Sequence, residues 1–201
     1  MAWTARAVYD LFERYHGDAA TVRRGPLAAF TPEQIRSKVR RLGLDDAPLP
    51  LNAHVLTVLR QEPGLTAGML AARMKLPVAT AVLALQLLFC DGRAAVGFNV
   101  VHGMPVVWLH QAAPLCMQLG VWACASRDKY DGSVICIISK GKKHTKTLRY
   151  SWEDFTNIAS LRELAKAHTP DVFDNSLVAL QRKTPPDSRG LELSHLDLTE
   201  V

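Results

Sequence analysis

The sequence predicts an α+β, multi-domain chain, on three observations. Apolar residues recur at helical spacing up to residue 44, and breaks divide them into three short helices. Three more helical stretches and then two strands follow over residues 52–112. β-Branched runs separated by Asp-Gly and Lys-Gly turns mark a small antiparallel sheet plus one helix over residues 113–169. Residues 45–51 read as a linker and residues 170–201 as a flexible acidic tail. A chain of 201 residues holds one large core or two to three modest ones.

In residues 1–44, Val8, Leu11, Phe12 and Tyr15 fall at i, i+3, i+4 and i+7, one apolar stripe of a helix starting near Thr4. His16-Gly17-Asp18 ends it. A second short helix is expected over Ala19 to Arg24, broken by Gly25-Pro26. The third runs from Thr31 to Leu42 and has the clearest start signal in the chain. Thr31 can accept as N-cap, Pro32 suits the first helical position, and Gln34 completes a capping box. Ile35, Val39 and Leu42 form its apolar side, Gly43 stops it, and Arg36, Ser37, Lys38, Arg40 and Arg41 lie opposite.

Three short helices with a basic third one follow the plan of a tri-helical helix-turn-helix (HTH), whose last helix enters the major groove of double-stranded DNA. On that plan Gln34, Ser37 and Lys38 meet base edges, because Gln pairs well with adenine and Lys with guanine. Arg23, Arg24, Arg36, Arg40 and Arg41 hold phosphates. The competing reading is a solvated basic helix face with no ligand.

Trp3-Thr4 opening a helix, followed by Gln34-Ile35-Arg36-Ser37-Lys38-Val39-Arg40-Arg41-Leu42-Gly43-Leu44, resembles the Myb/SANT-type tri-helical domain. The ending Lys38 to Leu44 is similar to the GcrA-like cell-cycle regulators of bacteria and phages. The resemblance covers residues 1–44 and implies a DNA-binding module in which Trp3 is a core residue.

Residues 52–112 read as a winged-helix-like domain. Its helices are Ala53 to Arg60, Thr66 to Met74 and Pro77 to Cys90; its strands are Arg93 to Val101 and Pro105 to His110. Leu65-Thr66-Ala67-Gly68-Met69-Leu70-Ala71 is similar to the second helix common in that class. The third helix carries no charge from Val78 to Gln86, so phosphates would give it little. Val82, Leu85 and Phe89 can fill the local core, which leaves Leu83 and Leu87 for a homodimer or protein-partner contact. The alternatives are cover by the chain's own third segment, or direct DNA reading.

In residues 113–169, strands are expected over Gly120 to Ser126, Ser133 to Ser139 and Thr145 to Tyr150. Ser151 caps one last helix whose apolar side holds Phe155, Ile158, Ala159, Leu161 and Leu164. Lys140, Lys142, Lys143, Lys146 and Arg149 gather on the second hairpin. They form either a second nucleic-acid surface or a solvated turn on a dimerisation or partner domain. The arrangement is weakly similar to the ethylene-response and integrase-arm DNA-binding domains.

Charge is segregated. Residues 1–44 carry eight Lys/Arg against four Asp/Glu, residues 113–169 nine against five, and residues 170–201 three against six. Within the tail, Leu191 to Val201 largely alternates apolar and polar residues; it reads as a frayed terminus or a strand for a partner's sheet edge. The cysteines at 90, 116, 124 and 136 have no CxxC pairing and read as buried free thiols in a reducing cytosol. No metal site is expected from them, nor from seven scattered histidines. No apolar run is long enough to span a bilayer, and the start shows no signal peptide. Phosphate-loop, dinucleotide-loop and clustered-carboxylate motifs are missing.

These features point to a cytoplasmic, nucleoid-associated DNA-binding transcriptional regulator of bacterial or phage type, with no cofactor and no enzymatic activity. A protein-binding adaptor or inhibitor of transcription or chromosome-organising machinery is one alternative. A non-specific architectural DNA binder is another.

Overall fold

The structure is a computed structural model that describes residues 2–99, 104–109, 120–140, 143–158 and 161–168. Helix α1 (Ala5–Arg14) is capped by Thr4, whose hydroxyl accepts from the amide of Ala7. A 3-10 turn (Gly25–Ala29) leads to α2 (Pro32–Arg41). Next come α3 (Leu51–Gln61), α4 (Ala67–Met74) and α5 (Val78–Cys90). Strands β1 (Ala94–Asn99), β2 (Met104–Leu109), β3 (Val121–Arg127), β4 (Val134–Lys140) and β5 (Lys143–Tyr150) follow. Two short helices, α6 (Trp152–Thr156) and α7 (Leu161–His168), end the described chain. The protein is therefore α+β, as the sequence predicts.

The helix expected over Ala19 to Arg24 is a series of turns. Asp18 is the reason: its carboxylate accepts from the amide of Ala20, and its carbonyl accepts from the hydroxyl of Thr21. Such local bonds offer the backbone an alternative to helix. Gly25-Pro26 then starts a 3-10 turn instead of merely ending a helix. Gly25 has φ +56°, and Pro26 suits the first helical position. Val22 and Leu27 are buried all the same, so the segment fills the place a second helix would take.

Residues 45–51 do not separate two cores. One apolar core runs from Ala7 in α1 through Val39, Leu51, Leu70 and Leu88 to Ala94. Polar bonds cross the same boundary. Glu13 of α1 accepts from Asn52 of α3 and from Arg93 at the start of β1, each at 3.0 Å. The Tyr9 hydroxyl donates to Asp91 at 2.6 Å and accepts from Arg93 at 3.0 Å.

Helix α5 is the centre of this core. Helices α1, α3 and α4 and strands β1 and β3 all pack on it. This corrects the partner contact expected at Leu87. Leu87 is buried in the chain's own core, and Leu83 is half-buried against it. An evenly apolar helix suits a position packed on several sides, although Val78 and Ala79 at its start are exposed.

The two strands expected as a wing belong to a larger sheet. All five strands form one antiparallel sheet in the order β2-β1-β3-β4-β5. Strand β1 pairs with β3 (Val96 opposite Ala125), so β1 and β2 share one sheet with β3, β4 and β5. Its helix-covered face packs Val96, Ala125, Cys136 and Ile138 against Phe89 of α5, Phe155 of α6 and Leu164 of α7. Ala95, Cys124, Ile135 and Ile137 form the opposite face.

Two further expectations change. Cys90 and Cys136 are free thiols, but Cys124 is disulfide-bonded. The single last helix is two. Thr156 donates its hydroxyl back to Glu153, and the Ile158 amide tightens onto Phe155, which closes α6 after one turn. Ala159 lies outside the described residues. Among those residues no single helix is long and apolar enough to cross a membrane.

Candidate nucleic-acid interface

Helix α2 is fixed at both ends by its own sequence. At its start the capping box is complete: Thr31 Oγ1 accepts from the Gln34 amide at 3.3 Å, and Gln34 Oε1 accepts from the Thr31 amide at 2.8 Å. At its end Gly43, with φ +64°, allows the reversal. The Gly43 amide donates to Arg40, and the Leu44 amide reaches Val39, a Schellman closure.

The helix is also seated on its neighbours. Ile35 and Val39 are buried. The hydroxyl of Thr80, in the first turn of α5, donates to the Leu42 carbonyl at 2.6 Å. A Cβ on Gly43 would stand 2.5 Å from Pro77 Cγ, so the two segments meet in close contact. The solvent face is thereby held rigidly on the core.

That face divides its side chains in two. Gln34 spends its carbonyl oxygen on the cap. Lys38 is half-buried, with Nζ 5.5 Å from the Trp3 ring, and Trp3 is stacked on Phe30 with ring centroids 4.1 Å apart. Burial, then the charge of Arg41, pulls the Lys38 ammonium below its ordinary pKa. Arg23 donates to the carbonyls of Phe30 and Ala28 and so staples the 3-10 turn. Arg24, Arg36, Ser37, Arg40 and Arg41 are exposed. Arg36 has Glu33 at 3.3 Å.

Sequence reasoning passed over Glu33. It stands in line with Ser37 and Arg40 at i, i+4 and i+7, opposite Ile35, Val39 and Leu42. The signal was present in the helical spacing, but Glu33 was hidden by its place in the first turn, where an acid is expected for the helix dipole.

The second basic group is only partly brought together. Lys143 and Lys146 are exposed on β5, at the edge of the sheet, and Lys140 pairs with Lys143 in register. Arg149 is tied to the β3–β4 turn: it donates to Asp131 at 2.6 Å and to Ser133 at 3.0 Å. Lys142 lies outside the described residues.

A cleft of about 520 Å³ opens between the end of α5 and the β3–β4 turn, lined by Cys90, Asp91, Arg93, Arg127, Asp128, Lys129 and Gly132. Most of its charges hold the protein together. Arg127 donates to the carbonyls of Cys90 and Gly132 and stacks on Trp152, 3.8 Å from the ring centroid. Asp91 and Arg93 are engaged with Tyr9. Asp128 accepts from the Tyr130 amide.

No family model, no curated protein and no solved structure matches this chain. The reading of the α2 face therefore stands on its geometry and charge. Exposed guanidinium groups on one rigid, ten-residue helix suit an anionic partner. A helix of that length is roughly 15 Å long, enough to lie in a major groove.

Proposed function

We propose that this chain is a DNA-binding transcriptional regulator that lays α2 in the major groove of double-stranded DNA. The supporting observation is the solvent face of α2. Arg40 and Arg41 are exposed side by side on a helix capped at both ends and seated on α5. Arg36, and Arg24 just before the 3-10 turn, extend the positive surface. The resemblance of Trp3-Thr4 and Gln34 to Leu44 to the Myb/SANT-type domain supports the same reading. The regulatory role, and its bacterial or phage setting, come from that resemblance.

The roles differ from a simple count of charges. Arg40 and Arg41 neutralise phosphates, Ser37 faces the bases, and Lys38 braces Trp3 from the flank. Binding would follow the release of counterions, so affinity falls as salt rises.

Fluorescence anisotropy with labelled duplex over a range of salt concentrations tests this. The Arg40→Ala/Arg41→Ala variant is expected to lose at least about tenfold in affinity and to flatten the salt dependence by roughly two ions. Lys38→Ala is expected to cost much less. Equal binding by the double variant and the parent chain, with both folded by circular dichroism, overturns the proposal.

A further inference from the structure

Glu33 puts a carboxylate at the N-terminal end of a face that also carries Arg36, Ser37, Arg40 and Arg41. Its side chain is 76% exposed, so it does not fill the core. An acid there weakens attraction to phosphate, and phosphate attraction is the general source of affinity on such a surface. Its contribution as a first-turn acid is small at so exposed a site.

The two side chains the sequence nominated beside Ser37 as base readers are drawn back to the protein, Gln34 by its cap and Lys38 by Trp3. Glu33, Arg36 and Ser37 are exposed toward the N-terminal end of α2, and Glu33 is the acceptor-only group among them. That end is the part of a reading helix that meets base edges.

A carboxylate accepts hydrogen bonds and donates none. In the major groove guanine presents two acceptors and thymine one, and both repel it. Adenine presents a donor with an acceptor beside it. Cytosine presents its N4 amine alone. Arg36 donates to the Glu33 carboxylate at 3.3 Å and restrains its position.

Resting on the DNA-binding reading above, we infer that Glu33 is a specificity-determining residue that selects cytosine at the base pair facing the first turn of α2. It acts by direct acceptance from the N4 amine. Arg36 is a positioning residue beside it.

Selection of bound sequences from a randomised duplex pool, with the parent chain and Glu33→Gln, tests the inference. The parent is expected to prefer cytosine at one position by about tenfold, the scale of one good base contact. Glu33→Gln is expected to move that preference toward adenine, which a carboxamide matches through N6 and N7. Its affinity for unselected duplex should rise modestly, because a negative charge facing phosphate is removed, and its melting temperature should stay near the parent's.

Identical base preferences in the two proteins overturn the inference, as does a parent chain that binds duplex with no base preference. In either case the DNA-binding reading survives. If neither protein binds duplex at all, that reading itself fails, and Arg40→Ala/Arg41→Ala then has nothing to lose.

Discussion

The hydroxyl of Thr80 donates to the main-chain carbonyl of Leu42, 2.6 Å away, and so joins the first turn of α5 to the last turn of α2. Thr80 is itself buried. Replacing it with valine keeps the shape and leaves the carbonyl without that partner. Thr80→Val is expected to cost about 1–3 kcal/mol, the penalty for stranding a buried acceptor. Thr80→Ser should recover most of it. Urea unfolding of the three proteins checks the order.

Gly43→Ala is expected to be more severe. Its φ of +64° is unfavourable for a residue with a Cβ, at about 1–2 kcal/mol. The added carbon would also stand 2.5 Å from Pro77 Cγ, inside any allowed contact. Relief requires α2 to lift from α5. A lower melting temperature and weaker duplex binding should therefore appear together in this variant.

Arg93→Ala removes the group that bonds both Tyr9 and Glu13. Arg93 and Glu13 are about one-third exposed, which limits the loss. A destabilisation of about 1–3 kcal/mol is expected, the range for hydrogen bonds that involve charged groups. The effect should shrink in high salt, and a urea midpoint measured at two ionic strengths checks it.

Alkaline pH should also weaken the fold. Burial and the bond to Asp91 push the Tyr9 phenol from 10.0 up to about 12. Burial likewise pushes the Cys136 thiol to about 12 and the Cys90 thiol to about 11. In each case the neutral form is favoured in the folded state. Their stabilisation is complete below the ordinary pKa values and is lost as pH rises through the folded ones. For Tyr9 the window is pH 10 to 12, and Tyr9→Phe should remove that part of the loss. Thermal melts across this range, paired with an ultraviolet titration of the phenols, measure it.

How far the sequence carried the fold depended on distance along the chain. Helix α2 was legible because Thr31, Pro32, Gln34 and Gly43 all act within four residues of one another or of the helix end. The limits of α4 and α5, and the capping role of Ser151, were local in the same way. The turns over Ala19 to Arg24 were misread as a helix because Asp18 and Thr21 make bonds that a periodicity count does not weigh.

The larger errors concerned pairs far apart. Nothing near Val96 marks it for Ala125, so the union of both strand sets into one sheet was hidden. The same holds for Leu87, whose apolar surroundings come from elements on both sides of α5 in sequence.

In the candidate interface, the positions of Arg36, Ser37, Arg40 and Arg41 on the surface were legible from helical spacing. The diversion of Lys38 was not, since Trp3 lies thirty-five residues earlier in the chain.

The shared core has a meaning for inheritance as well as for packing. Residues 1–44 look in the sequence like a portable cassette. A recombination joint placed after Leu44 would cut between Leu42 and Thr80, between Gly43 and Pro77, and between Glu13 and both Asn52 and Arg93. The helix that faces outward could not be transplanted onto another scaffold without α5 beneath it. The surface chemistry of α2 is thus open to change by single substitutions but not by exchange of residues 1–44 as a unit.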